Sequence, residues 1–176
     1  MSMRDRRVVL AVLMLSIAPA FGAETPRFGQ PIAPAELAPW DMSIAPDGAG
    51  LPPGRGTAAQ GAAIYAAKCQ ACHGENGAGK PNDRLVGGQG TLGSDSPVKT
   101  VGSYWPYAST LFDYIRRAMP WNETKSLSAD ELYAVSAYIL HLNGIVGETD
   151  VLDAQSLPKV QMPNRDGFIP FPRQPK

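Results

Sequence analysis

Cys69-Gln70-Ala71-Cys72-His73-Gly74 is the stretch from which the rest of the chain is read. Two thiols three positions apart at a helix end can each add to one vinyl group of a haem, giving two thioether bonds. The imidazole of His73 then lies beneath the ring and offers a nitrogen to the iron. This C-x-x-C-H spacing is the attachment pattern for haem c. The chain has 2 cysteines and both stand in the motif, so no other thiol competes for them. A zinc site would need two further ligands, and His141 is the only other histidine. A redox dithiol of the thioredoxin kind would follow a strand in a βαβ pattern, which the flanking sequence lacks. The expected cofactor is one covalent haem c, held by Cys69 and Cys72, with His73 on the iron.

The motif ends a predicted helix. Thr57 is a capping residue, and Ala58–Lys68 follows it without a breaker. Gly61 and Tyr65 sit four apart on one face, and a glycine there lets another helix cross closely. Downstream, residues 74–93 are rich in glycine, which permits turns that a Cβ forbids. A phosphate-binding loop is excluded, because no strand precedes it and Lys80 is not in a G-K-[ST] setting. The loop is expected to wrap the His73 side of the haem. One of its backbone carbonyls, that of Pro81 for choice, is expected to accept the His73 ring N–H.

A low-spin electron-transfer haem takes a second axial ligand, and a thioether stabilises ferrous iron better than an imidazole does. Beyond the leader the methionines are Met42, Met119 and Met162. Thr110-x-x-Asp113 reads as the opening of a short helix whose apolar face is Leu111, Tyr114, Ile115 and Ala118. Pro120 ends it at about Ala118, which presents Met119 on a turn. Met119 is therefore the expected second ligand. Met162, in the tail, is the alternative, and either methionine is otherwise a core gap-filler. Ser128-x-x-Glu131 opens a final helix with a buried stripe of Leu132, Val135, Ile139 and Leu142, stopped by Asn143-Gly144. His141 points away from that stripe and reads as a surface residue. Tyr104, Trp105 and Tyr107 are candidates for a haem crevice or for core, and Arg116 and Arg117 for a propionate contact or for solvated charge.

The chain has 176 residues, 44% hydrophobic and 18% charged, with 18 Gly and 17 Pro. That is enough for one core plus irregular extensions. Net charge is zero, so nucleic acid and anionic membrane surfaces are not implied. Arg4, Arg6 and Arg7, a short apolar run from Val8 to Ile17, and small residues through Ala23 give the layout of a secretory signal over 1–23. The run is too short to span a bilayer comfortably, so no stable membrane insertion is expected after cleavage, and the protein is expected in the periplasm. A Pro/Gly-rich N-terminal arm covers 24–56, the haem domain 57–147, and an extended C-terminal arm 148–176. No catalytic residue is expected.

Gly61-x-x-x-Tyr65, Cys69-x-x-Cys72-His73-Gly74, Met119-Pro120 and a last helix bearing Tyr138 resemble the class I cytochrome c pattern over Gly61 to Leu142. The resemblance implies an all-α fold in which the first and last helices cross where Gly61 and Tyr138 stand. Trp40-Asp41, Pro46-Asp47-Gly48, Leu85-Val86-Gly87-Gly88-Gln89-Gly90, Tyr104-Trp105-Pro106-Tyr107 and Met162-Pro163-Asn164-Arg165-Asp166-Gly167-Phe168 are similar to the cytochrome subunits of sulfite dehydrogenases and of the sulfane dehydrogenase of thiosulfate oxidation. That family implies a periplasmic molybdenum partner that oxidises a sulfur substrate and passes electrons singly to this haem. A downstream cytochrome or terminal oxidase would take them on. One haem motif, where some sulfane-dehydrogenase cytochromes carry two, favours the sulfite form. The arms then belong to the partner interface. A free periplasmic carrier, and a haem enzyme or gas sensor with an open sixth position, are the competing readings.

Overall fold

The structure, a computed structural model, describes residues 29–37 and 40–169. The expected signal segment, the first residues of the N-terminal arm and the last residues of the tail lie outside the described residues. The chain divides into two units between Trp40 and Asp41, a point inside the arm expected over 24–56. In the first unit, α1 (Pro34–Leu37) is a single exposed turn. Pro34 opens it, and the Glu36 carboxylate reaches back to accept from the Ala33 N–H (3.0 Å).

The second unit carries α2 (Ala58–Lys68), α3 (Gln70–His73), α4 (Ala108–Ala118) and α5 (Ala129–Leu142). The fold is all-α, of the class I cytochrome c kind, with a two-residue ladder of β1 (Arg55–Gly56) and β2 (Leu152–Asp153). Thr57 and Ser128 start α2 and α5 with full capping boxes, closed by Gln60 and Glu131. Each cap contributes about 1 kcal/mol. α2 buries one stripe, Ala58, Gly61 and Tyr65, against α5. The crossing passes over Gly61, where a Cβ would overlap the Ala134 carbonyl and lie 2.8 Å from Tyr138 Cβ. Beside it the rings of Tyr65 and Tyr138 tilt together at 5.3 Å.

α5 is more enclosed than a single stripe. Leu132 through Ala137, with Ile139 and Leu140, are all buried, whereas Leu142 is half-buried. α2 covers one side, α4 a second through the Phe112–Tyr133 pair (4.6 Å), and the arms the rest. α4 ends at Ala118, as Pro120 requires, but it starts at Ala108 with Tyr107 as its cap. Thr110 and Asp113 lie inside the helix, and Asp113 pairs with Arg117 one turn on (2.8 Å) instead of capping.

The two arms meet. β1 pairs antiparallel with β2, Arg55 opposite Asp153 and Gly56 opposite Leu152. A ladder of two residues a side, one of the four a glycine, leaves no period for sequence to show. Residues 42–52 lend carbonyls to helix side chains: Ser109 Oγ donates to Pro46 (3.0 Å), Tyr133 Oη to Pro52 (2.8 Å) and Arg117 Nη2 to Met42 (2.8 Å). From the other arm, Leu152, Leu157 and Met162 enter the same core.

Candidate functional site

The motif sits where α2 hands over to α3. Cys69 ends α2 with its N–H on the Tyr65 carbonyl (2.9 Å), and its own carbonyl accepts from Cys72 N–H (3.1 Å) and His73 N–H (2.9 Å). The break at Cys69 (φ −122°, ψ −37°) confines both thiols and the imidazole to one tight turn. Both thiols are free; Cys69 is half-buried and Cys72 exposed. Burial, with a smaller push from Cys72, raises the Cys69 thiol to about 11 and keeps it protonated at neutral pH.

The chain then reverses. Gly74 has φ 76°, and a Cβ on it would come 2.5 Å from the Gly79 carbonyl oxygen, so only glycine turns freely here. Tyr65 Oη donates to the Gly74 carbonyl (2.9 Å). Burial pushes the Tyr65 phenol up to about 12, so it stays a donor. The returning loop is tied to the motif by Gly79 N–H to the His73 carbonyl (2.7 Å), Asn82 N–H to Cys72 (2.9 Å) and Leu85 N–H to Gly77 (2.9 Å).

His73 Nδ1 lies 2.8 Å from the Asp83 carbonyl oxygen. The ring N–H donates there, which leaves Nε2 with its lone pair for a metal. The expected acceptor was the Pro81 carbonyl. The structure supplies Asp83 instead, because the ties at Asn82 and Leu85 bring the chain alongside the ring two residues later. Asn143, the expected helix stop, also bonds to Leu85 and Gly87 of this loop; asparagine after a helix is too common to signal that.

Met119 follows α4 in extended conformation, partly buried against the core. Glu123, four residues on, pairs with Lys68, the residue before Cys69 (Nζ–Oε2 2.6 Å). Both partners are well exposed, so solvent screens the pair and it adds little stability. It does mark the Met119 loop and the motif as neighbours. Met162 is 4% exposed in the core, and the Met42 carbonyl is taken by Arg117. Arg117 is thus committed to Asp113 and the arm. His141 is half-buried, its Nδ1 3.1 Å from the Val146 carbonyl, so it pins the turn after α5. Tyr104 packs on Phe168, Trp105 on Tyr114, and Tyr107 under the Arg165 guanidinium.

Among the described residues no group of three or more His, Cys, Asp and Glu could hold a bare metal ion. The donor set fits haem c: two free thiols and an imidazole with an open Nε2 on one turn, and a thioether on a neighbouring loop.

The family model of cytochrome c oxidase, cbb3-type, subunit III matches residues 56–139. The crystal structure of the sulfane dehydrogenase SoxCD from Paracoccus pantotrophus contains a similar chain. It is 42% identical, with a TM-score of 0.78 over 84% of this chain and 73% of that one. No curated protein matches the sequence.

Proposed function

We propose that this chain, which belongs to the cytochrome c family in the group that includes a chain of SoxCD, is the electron-transfer subunit of a periplasmic molybdenum sulfur dehydrogenase. Cys69 and Cys72 would hold one haem c, and His73 and Met119 would offer its iron a nitrogen and a thioether sulfur. The observation that carries the site is the His73 ring, oriented by the Asp83 carbonyl (2.8 Å) on the turn that bears both free thiols.

Haem c, when bound, supplies a one-electron ferric/ferrous couple. The chain's residues set its properties. The Asp83 carbonyl polarises the His73 Nδ1–H and makes Nε2 a stronger donor. The Met119 thioether would favour the ferrous form and, by binding the iron, would keep gases and substrates off it. No residue here is asked to do bond chemistry: the sulfur substrate is oxidised on the partner, and its two electrons arrive one at a time. They leave for a downstream cytochrome or a terminal oxidase. Export on residues 1–23 places the protein in the periplasm, where haem is attached.

The likeness to a SoxCD chain favours a sulfane substrate on the partner, and the single haem motif favours sulfite. One experiment tests both. The native protein is drawn from periplasm with its partner, oxidised, and given sulfite or a protein-bound sulfane while the reduced α-band is followed. Prompt reduction by one of them is expected. A haem that dithionite reduces but neither substrate does would overturn the dehydrogenase reading, and fast, complete carbon monoxide binding would overturn the Met119 ligand.

A further inference from the structure

We propose that Asn143 is a positioning residue for His73: its side-chain amide fixes the glycine-rich loop and, through it, the Asp83 carbonyl that holds the imidazole. The proposal rests on His73 being an iron ligand.

Asn143 follows α5. Its Nδ2 donates to the Ile139 carbonyl (2.8 Å) and to the Leu85 carbonyl (3.2 Å). Its Oδ1 accepts from the Gly87 N–H (3.0 Å) and lies 3.5 Å from Gln89 Nε2. An amide has two donor hydrogens and two acceptor lone pairs, and all four are used. Ending a helix needs only the Ile139 bond; the other three reach a loop more than fifty residues upstream. Aspartate has no donor for Leu85, and serine is too short to span both Leu85 and Gly87. The opposite side of Gly87 is held as well, its carbonyl accepting from Thr100 Oγ1 (2.5 Å).

The tether reaches His73 in two steps. Leu85 is fixed at both ends, its carbonyl by Asn143 and its N–H by the Gly77 carbonyl (2.9 Å). Asn82 is fixed by the Cys72 carbonyl (2.9 Å). Asp83 lies between these points, so its carbonyl turns away from His73 only if one of them gives. A looser Asp83 weakens the ring hydrogen bond, lowers the basicity of the imidazole and favours ferrous iron. Gly102 leaves room for the amide: a Cβ there would overlap Asn143 Oδ1 and lie 2.5 Å from its Cγ. Gly102→Ala therefore displaces Asn143 without altering it.

The test compares Asn143→Ser, Gly102→Ala and, as a control at the far end of α5, Ser128→Ala, all as holoproteins. Melting temperature, reduction potential and the ferric EPR g values are measured for each. All three are expected to melt lower. Only Asn143→Ser and Gly102→Ala are expected to raise the potential and shift the g values. If both melt lower but keep the wild-type potential and g values, Asn143 is a helix cap alone and the proposal falls. Should neither variant retain haem, wild-type hydrogen exchange decides: the Gly87 amide and the His73 ring N–H should exchange together, and a freely exchanging ring proton below a protected Gly87 amide would overturn the tether. A wild-type protein without covalent haem or without His73 on its iron would instead refute the site itself.

Discussion

Gly61→Ala in α2 should destabilise the protein, although the same change in an open helix stabilises it. Alanine gains about 1 kcal/mol over glycine from helix propensity alone. Here the added Cβ would overlap the Ala134 carbonyl, come 2.5 Å from its carbon and lie 2.8 Å from Tyr138 Cβ. The carbonyl belongs to the hydrogen-bond ladder of α5 and cannot rotate aside, so α2 and α5 must part. Overpacking of this kind costs roughly 1–3 kcal/mol, and a rigid backbone neighbour puts it near the upper end. The net loss is then about 2 kcal/mol, or a fall in melting temperature of about 8 °C for a unit of this size. Thermal unfolding of the holoprotein, followed by far-UV circular dichroism, measures it. Ala63→Gly on the exposed side of α2 calibrates the propensity effect and should cost about 1 kcal/mol. Opposite substitutions on one helix should thus both destabilise. A Gly61→Ala protein that melts at or above the wild-type temperature would refute the close crossing.

Met119→Ala should abolish the thioether-to-ferric-iron absorption and lower the reduction potential; a protein that keeps both would remove Met119 from the iron. Met162→Ala should cost about 2–5 kcal/mol through a core cavity while leaving the haem spectrum unchanged, and a lost iron–sulfur band would reverse the two assignments. Tyr65 should contribute to alkaline unfolding. Its folded pKa, raised by burial to about 12 from an ordinary 10.0, means that its contribution is complete below pH 10 and is lost as pH rises towards 12. Tyr133, also raised by burial to about 12, adds to the same slope. Tyr65→Phe should therefore be less stable at pH 7 by about 1 kcal/mol and show a shallower decline between pH 10 and 12, measured as denaturant midpoints; an unchanged slope would mean that the phenol is not held neutral by the fold.

What could be read from sequence was local. The capping boxes at Thr57 and Ser128, the stop at Pro120 and the spacing of Gly61 to Tyr65 depend on residues within one or two turns, and the helices begin and end where these signals put them. Thr110-x-x-Asp113 misled because its carboxylate has a competitor: Arg117 lies one turn away and takes it. The Asp83 carbonyl, the Asn143 amide and the β1–β2 ladder were out of reach for another reason. Each depends on where a loop returns, and that is decided by backbone hydrogen bonds that every residue type can make. Helical geometry places His141 off the buried stripe, where it stands half-buried, but cannot show the Val146 carbonyl folding back over it.

The two sides of the proposed site are held by different parts of the chain. On the His73 side, the loop is tied to the end of α5 through Asn143. On the Met119 side, α4 is braced by the arms: Pro46 and Met42 hold it from one direction, and the tail holds the segment before it through Asn164 Nδ2 to the Tyr104 carbonyl (2.7 Å) and the Tyr104–Phe168 pair. The family match over 56–139 omits both Asn143 and most of these braces. The likeness to the SoxCD chain extends over 84% of this one, and residues 57–147 are only about half of it, so that likeness takes in arm residues as well. Residues 42–56 and 148–169 of the arms are therefore not loose appendages awaiting a partner. Any surface that they offer to one is built on segments whose inner side is already committed to the core. Trimming the tail after Gly147 would remove Leu152, Leu157 and Met162 from that core. An interface role for the arms has to be sought in their outward residues, such as Val151 and Ile169, whose replacement leaves the braces in place.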